Sequence, residues 1–197
     1  RRDLALPGNF TLFAVALPDG GLALAGSLRN ADNTFDAWIC RLSSSGVRQW
    51  DARIDAVGDE SGLSVAALAG GALVLGGLTS PSGSGSTDVL LVRFDATGAV
   101  TTRKALGGTF WDNGTAVVGA DGKLYLVGGT MSFGEGGRDG WLSELDPMTL
   151  EPLWSRVIGS TADDLLAFLP DSTGGGFFAS GTSRAGGGAR YNIFAGK

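Results

Sequence analysis

The sequence contains no histidine and a single cysteine, Cys40. The first absence removes Ser-His-Asp and Cys-His catalysis, histidine general bases and histidine metal ligands together. The second excludes an internal disulfide and any paired-cysteine metal or redox motif. Charge is also sparse: 18% of residues are Asp, Glu, Lys or Arg, with 20 acidic against 15 basic and a net charge of −5. An acidic chain lacks the basic footprint that nucleic acid or an anionic membrane surface requires. No apolar run reaches the about 18 residues that a spanning helix needs. With 43% hydrophobic residues the chain is nevertheless not a disordered one. Its 197 residues suit one domain better than two.

Glycine is present in excess, 34 of 197 residues, against an average of about 7%. Many of these glycines recur in step. Asp19-Gly20-Gly21-Leu22-Ala23-Leu24-Ala25-Gly26 is followed by Ala69-Gly70-Gly71-Ala72-Leu73-Val74-Leu75-Gly76. The series continues with Asp121-Gly122-Lys123-Leu124-Tyr125-Leu126-Val127-Gly128 and Gly174-Gly175-Gly176-Phe177-Phe178-Ala179-Ser180-Gly181. A second block keeps the same step: Asp36-Ala37-Trp38-Ile39-Cys40-Arg41-Leu42, Asp88-Val89-Leu90-Leu91-Val92-Arg93-Phe94, Asp139-Gly140-Trp141-Leu142-Ser143-Glu144-Leu145 and Asn192-Ile193-Phe194-Ala195-Gly196-Lys197. The period is 50 to 53 residues, which is the scale of a propeller blade.

Each unit reads as four short strands. In the first unit they cover residues 11–17, 22–28, 37–42 and 47–54. Turns rich in Gly, Asp and Ser separate them, and no segment repeats every 3.6 residues, so the chain is all-β. The fourth strand, with Arg48, Gln49, Asp51 and Arg53, is polar enough for an outer edge. The expected fold is a β-propeller of four blades, each of four antiparallel strands, forming one domain over residues 1–197. The blade units are approximately 9–57, 58–107, 108–158 and 159–197 plus 1–8. Residues 1–8 match the end of an outer strand, residues 102–108, and the last unit stops within its third strand. The N-terminal strand is therefore expected to close the last blade, which leaves no unpaired edge in the ring.

Units of this form, a DGG turn, an apolar strand ending in glycine, a Gly/Ser loop and then Asp or Asn before an aromatic strand, resemble the bacterial β-propeller repeats of the seven-bladed repeat family. Tyr191-Asn192-Ile193-Phe194-Ala195-Gly196-Lys197 and residues 36–42 carry the resemblance best. This chain departs from the family in having four units, which leaves a four-bladed ring or a ring completed by a second chain. The resemblance implies a periplasmic, cell-surface or secreted protein with a role in binding or assembly. No signal peptide is visible at the opening Arg1-Arg2-Asp3, as expected of a mature secreted protein whose leader has been removed. Two Asn-x-Thr sequons, at Asn9 and Asn113, matter only in a eukaryotic secretory setting. The expected role is a non-catalytic interaction or structural module with protein partners in an envelope or extracellular complex. A carbohydrate-binding propeller and a propeller enzyme are the alternatives. No cofactor, nucleic acid or membrane insertion is expected.

Repetition separates structural positions from functional ones. Asp36, Asp88, Asp139 and Asn192 offer four oxygen donors that could in principle share a calcium ion. Because they recur in every unit, they read better as loop caps, and no metal site is assigned. Trp38, Leu90, Trp141 and Phe194 recur as large apolar residues and read as a packed layer between blades. Trp50 and Trp154 are expected to cover blade edges. The glycine loops at 82–86 and 185–188 open no helix, so they cradle no phosphate. The adjacent acids Asp59-Glu60 and Asp163-Asp164 point to opposite faces of a strand, which suits no acid–base pair. What breaks the repeat is the loop 108–114 and the loop 131–138. The candidate binding residues are therefore Phe110, Trp111, Asp112, Phe133, Glu135 and Arg138, aromatic and charged side chains on one face of the ring.

Overall fold

The computed structural model describes residues 12–55, 58–81, 86–118, 122–170, 177–183 and 192–196. They form four antiparallel sheets in chain order, each a simple meander. The first contains β1 (Leu12–Ala16), β2 (Leu22–Arg29), β3 (Phe35–Leu42) and β4 (Arg48–Ile54). The second contains β5 (Gly58–Ala67), β6 (Leu73–Pro81), β7 (Asp88–Phe94) and β8 (Val100–Leu106). The third contains β9 (Asp112–Val118), β10 (Leu124–Thr130), β11 (Asp139–Leu145) and β12 (Pro152–Ile158). The fourth has three strands, β13 (Asp164–Pro170), β14 (Phe177–Ser183) and β15 (Asn192–Gly196). No α-helix occurs among the described residues, and no helix is long and apolar enough to cross a membrane.

The turns explain the strand boundaries. Between β1 and β2, Leu17 N donates to Gly21 O at 2.9 Å and Gly20 takes φ 80°. That φ is open to glycine without steric cost. Between β7 and β8, Asp95 Oδ1 accepts from Thr97 N at 2.9 Å and Ala99 N at 3.0 Å, so one side chain organises the whole reversal. Asp146 does the same between β11 and β12, accepting from Met148 N at 2.9 Å and Thr149 N at 2.7 Å.

Period-two alternation sends neighbouring residues to opposite sides of each sheet. Leu73, Leu75, Leu90, Val92 and Phe94 of the second sheet join Ala23, Ala25, Ala37 and Ile39 of the first in one core. Val74, Val89 and Leu91, their immediate neighbours in sequence, join Ala116, Leu124, Leu126 and Trp141 of the third sheet in another. Tyr125, Val127 and Leu142 then meet Phe177 of the fourth sheet. The second and third sheets are thus each sandwiched between neighbours, and their third strands serve both sides. The residue two after the strand's Asp faces the preceding sheet: Leu90 faces the first, Trp141 the second. The next residue faces the following sheet, as Ile39, Leu91 and Leu142 do.

These large residues lie opposite a glycine on the second strand. Trp38 pairs with Gly26, Leu90 with Gly77, Trp141 with Gly128 and Phe194 with Gly181. A side chain at Gly128 would collide with the Asn113 carbonyl of β9, so the glycine admits the first strand at close range. In the second unit the partner is Gly77, not the Gly76 that the sequence repeat suggests. The reversal at Leu68 N to Ala72 O corresponds to Leu17 N to Gly21 O, which moves that unit by one residue.

Part of one expected loop is strand instead: Asp112-Asn113-Gly114, the end of the loop 108–114, opens β9, while Gly58-Asp59-Glu60-Ser61 belongs to β5 and pairs with residues 78–81. The reason is pairing length, since β6 and β10 extend past the glycine and recruit these residues into the ladder. Adjacent acids do point apart: Glu60 and Asp164 are buried while Asp59 and Asp163 are exposed. The described residues supply four successive sheets and show no closed ring among them; residues 1–11, which include the expected closing strand, lie outside the described residues. So do residues 82–85 of the first glycine loop and all of the second, 185–188.

Candidate functional site

In a meander the β8–β9 and β10–β11 connections leave from the same end of the sheets. Residues 107–111 and 131–138 accordingly meet. Phe110 N donates to Ser132 Oγ at 2.9 Å, and Ser132 Oγ donates to Asp112 Oδ2 at 2.7 Å. Met131 N donates to Trp111 O at 2.9 Å. Thr130 Oγ1 accepts from Ser132 N at 3.0 Å and Phe133 N at 3.1 Å, which fixes the start of the second loop. The two loops therefore form one hydrogen-bonded unit.

The side chains on that unit differ in their reach. Phe110 is 60% exposed and Phe133 43% exposed, with Met131 beside them also exposed. The Phe133 ring meets Trp141 edge-on at 5.6 Å, so it caps the buried indole from outside. Leu106, Gly107, Phe133, Trp141, Pro152, Ser155 and Val157 line a mainly apolar cavity of about 390 Å³ there. Trp111 lies under the Arg138 guanidinium, 4.5 Å from the ring centroid. Burial pulls the Arg138 pKa down and the Asp163 charge opposes that pull. Glu135 is exposed, and its backbone N donates to Asp139 Oδ2 at 3.1 Å.

Asp112 differs from the expectation of a surface contact. It is wholly buried at the start of β9 and accepts from Gly108 N at 2.8 Å as well as from Ser132. It shapes the loops from beneath. Of the six residues singled out from the sequence, five present side chains on this surface and Asp112 holds them up.

Asp36, Asp88 and Asp139 do not converge on a shared site. Each stands at or next to the start of the third strand of its own sheet, and no group of three or more acidic, histidine or cysteine side chains gathers among the described residues. The Asn192 side chain lies outside the described ones. Asp36 accepts from Asn30 Nδ2 at 3.1 Å and is ion-paired to Arg53. Asp139 holds the loop through Glu135 N, in line with a capping role. Asp88 and Asp139 each have an acidic neighbour in the next sheet. Asp112 of the next sheet pushes the Asp88 carboxyl upward, after burial as the main cause, and Asp164 does so for Asp139. A fixed spacing carries that signal, because Glu60, Asp112 and Asp164 stand 24, 24 and 25 residues after Asp36, Asp88 and Asp139.

Trp38 and Trp141 are buried, as a layer between sheets requires. Trp50 of β4 reaches the next sheet, stacking on Phe94 at 5.9 Å and donating to Ala96 O at 3.1 Å. On the opposite end of the sheets a cavity of about 450 Å³ lies between the Leu17–Gly21 and Leu68–Ala72 turns, with Arg41 bound to Asp19 at its rim. In comparison with known proteins, the chain matches no family model, and no curated protein matches it.

Proposed function

We propose that this protein is a non-catalytic interaction module of a bacterial cell-surface or periplasmic assembly, built as a β-propeller and binding a protein partner through the loops of its third sheet. The observation that carries this reading is the patch of Phe110, Met131 and Phe133 beside Glu135 and Arg138. Exposed aromatics on a hydrogen-bonded frame lose little entropy on binding, and flanking charges give register. The surrounding strands are committed to burial, so discrimination falls to loops that differ from their counterparts.

Ring geometry is supported by the far side of the first sheet. Leu24, Leu28, Trp38, Cys40 and Leu42 form a buried cluster on the side away from the second sheet. Trp38 is only 1% exposed. By the alternation seen in the other sheets, this side faces a preceding blade, and the fourth sheet is the one available. The propeller reading therefore has the fourth sheet, completed by the N-terminal segment, closing on the first.

A carbohydrate-binding role asks for an open aromatic face, and Arg138 covers one face of Trp111. The test is photo-crosslinking from position 110 in the native complex, alongside a glycan array. Crosslinks to a protein that vanish with Trp111→Ala support the reading. Saturable glycan binding with no protein crosslink sinks it in favour of the lectin alternative. Solution mass separates a one-chain ring from one shared by two chains.

A further inference from the structure

Three junctions between successive sheets repeat one arrangement. At the second and third, the acid that opens the third strand of one sheet meets an acid in the first strand of the next, Asp88 with Asp112 and Asp139 with Asp164; at the first, Asp36 near the start of β3 and Glu60 of β5 hold the corresponding positions. Backbone and side-chain bonds hold the strands together there. Asp112 N donates to Thr87 O at 2.7 Å, Asp164 N donates to Arg138 O, and Phe35 N donates to Asp59 Oδ1 at 2.8 Å.

The first junction is neutralised from within. Arg53 of β4 is ion-paired to Asp36, and its Nη2 donates to Asn30 Oδ1 at 2.6 Å. Glu60 accepts from Thr79 Oγ1 at 3.0 Å and has Arg103 Nη2 at 3.9 Å. Arg53 lies opposite Trp38 in the ladder. The same ladder position holds Ala105, opposite Leu90, in the second sheet and Val157, opposite Trp141, in the third. The cation of the first junction thus has no counterpart in the other two.

The consequence is visible in the carboxylates. Asp88 Oδ1, Asp112 Oδ1 and Asp139 Oδ1 are buried with no hydrogen-bond partner among the described residues. Asp112 is 0% exposed and Asp139 1% exposed. A buried carboxylate oxygen left unpaired beside a second carboxylate is costly. Space is kept at both places by glycine. A methyl group at Gly107 would run into Asp88 Oδ1 and Asp112 Oδ2 together, and one at Gly159 would run into Asp139 Oδ1. The corresponding residue after Ile54 in the first sheet is Asp55, where no such space is needed. Arg138, whose carbonyl accepts from Asp164 N at the third junction, has its guanidinium engaged over Trp111.

We propose that the second and third junctions each bind one hard divalent cation of the calcium class between their paired carboxylates, which does there what Arg53 does at the first. Calcium takes about six to eight oxygens and accepts a mixture of carboxylate, hydroxyl, carbonyl and water ligands. Asp88 and Asp112 with Ser132 Oγ nearby, and Asp139 with Asp164, supply the anionic part of such a shell. The ions tie sheet two to sheet three and sheet three to sheet four.

The test uses the full chain, stripped with a chelator, titrated calorimetrically with calcium chloride and melted with and without it. Two ions per chain are expected, with the midpoint raised by roughly 5 °C at saturating calcium. Ala105→Arg, at an exposed position, supplies the missing guanidinium and reduces the stoichiometry to one. Asp139→Asn removes the other ion. If the stripped chain binds no calcium and melts at the same temperature in its presence, the proposal fails. It fails equally if neither substitution changes the stoichiometry. A single ion that responds to only one of the two substitutions overturns the other junction.

Discussion

The guanidinium carbon of Arg138 sits 4.5 Å from the centroid of the Trp111 ring. This contact joins the two loops that break the repeat, since Trp111 ends one and Arg138 ends the other. A stacked pair of this kind contributes about 0.5–1 kcal/mol where it is partly exposed. It also covers one face of the indole.

Trp111→Ala and Phe110→Ala are expected to weaken partner binding by more than about 1 kcal/mol each while the fold persists. Affinity measurement paired with circular dichroism checks this. Binding that survives both changes, with contacts instead around the Leu17–Gly21 and Asp95–Gly98 turns, moves the site to the opposite end of the sheets.

Trp38→Ala should cost about 3–5 kcal/mol in denaturant unfolding, as loss of a fully buried large aromatic does. The figure follows only if another sheet covers this side of the first one. A cost below about 1 kcal/mol would place Trp38 on an open face and undo the ring.

Leu150 adopts φ 60°, a region unfavourable for a branched side chain, and its side chain is fully buried between the second and third sheets. Burial evidently outweighs strain. Leu150→Ala should therefore destabilise by about 2–5 kcal/mol, by thermal or chemical unfolding.

Cys40 is buried, and it is expected to be unreactive in the folded chain. Burial foremost, and the Asp51 charge after it, push its thiol up to about 11. At pH about 8 a thiol reagent should label the unfolded protein stoichiometrically and the native protein hardly at all, because the thiolate is the reactive form. Rapid labelling without denaturant contradicts the buried placement.

In calcium-free buffer, stability should rise as pH falls from about 7 towards the carboxylate range. Burial first, then a neighbouring carboxylate, holds the Asp88 and Asp139 carboxyls above the ordinary value of 3.8. A raised acid is ionised in both states at neutral pH and destabilises the fold. As pH falls through its folded pKa the folded state takes the proton first, and the penalty lifts. Asp19, Asp32, Asp95 and Asp146 work the other way, held below 3.8 chiefly by hydrogen bonds from Gly21, Thr34, Thr97 and Thr149. Their contribution is present above 3.8 and lost as pH drops below it. The optimum thus lies between neutrality and 3.8. Urea midpoints across that range should trace it, and Asp88→Asn with Asp139→Asn should flatten the upper limb.

The strands and turns were legible in the residues because their causes are local. Gly20 takes the positive φ that its Asp-Gly-Gly turn calls for, and the turns rich in Gly, Asp and Ser mark where the strands end. Repetition rightly separated Trp38 and Trp141, which pack, from Phe110 and Phe133, which reach solvent. Register was another matter. The one-residue offset that puts Gly77 opposite Leu90 depends on hydrogen bonds across strands, and nothing in the repeat reveals it. The same holds for Asp112, whose burial is set by the extension of β10 into a longer ladder. Composition and period decided an all-β chain of four repeated units, since both are sums over neighbours along the chain. Only the tertiary structure brought Asp88 to Asp112 and Asp139 to Asp164, and left Ala105 and Val157 where Arg53 stands in the first sheet, because those relations exist between sheets and the energy of a buried charge depends on what surrounds it in space.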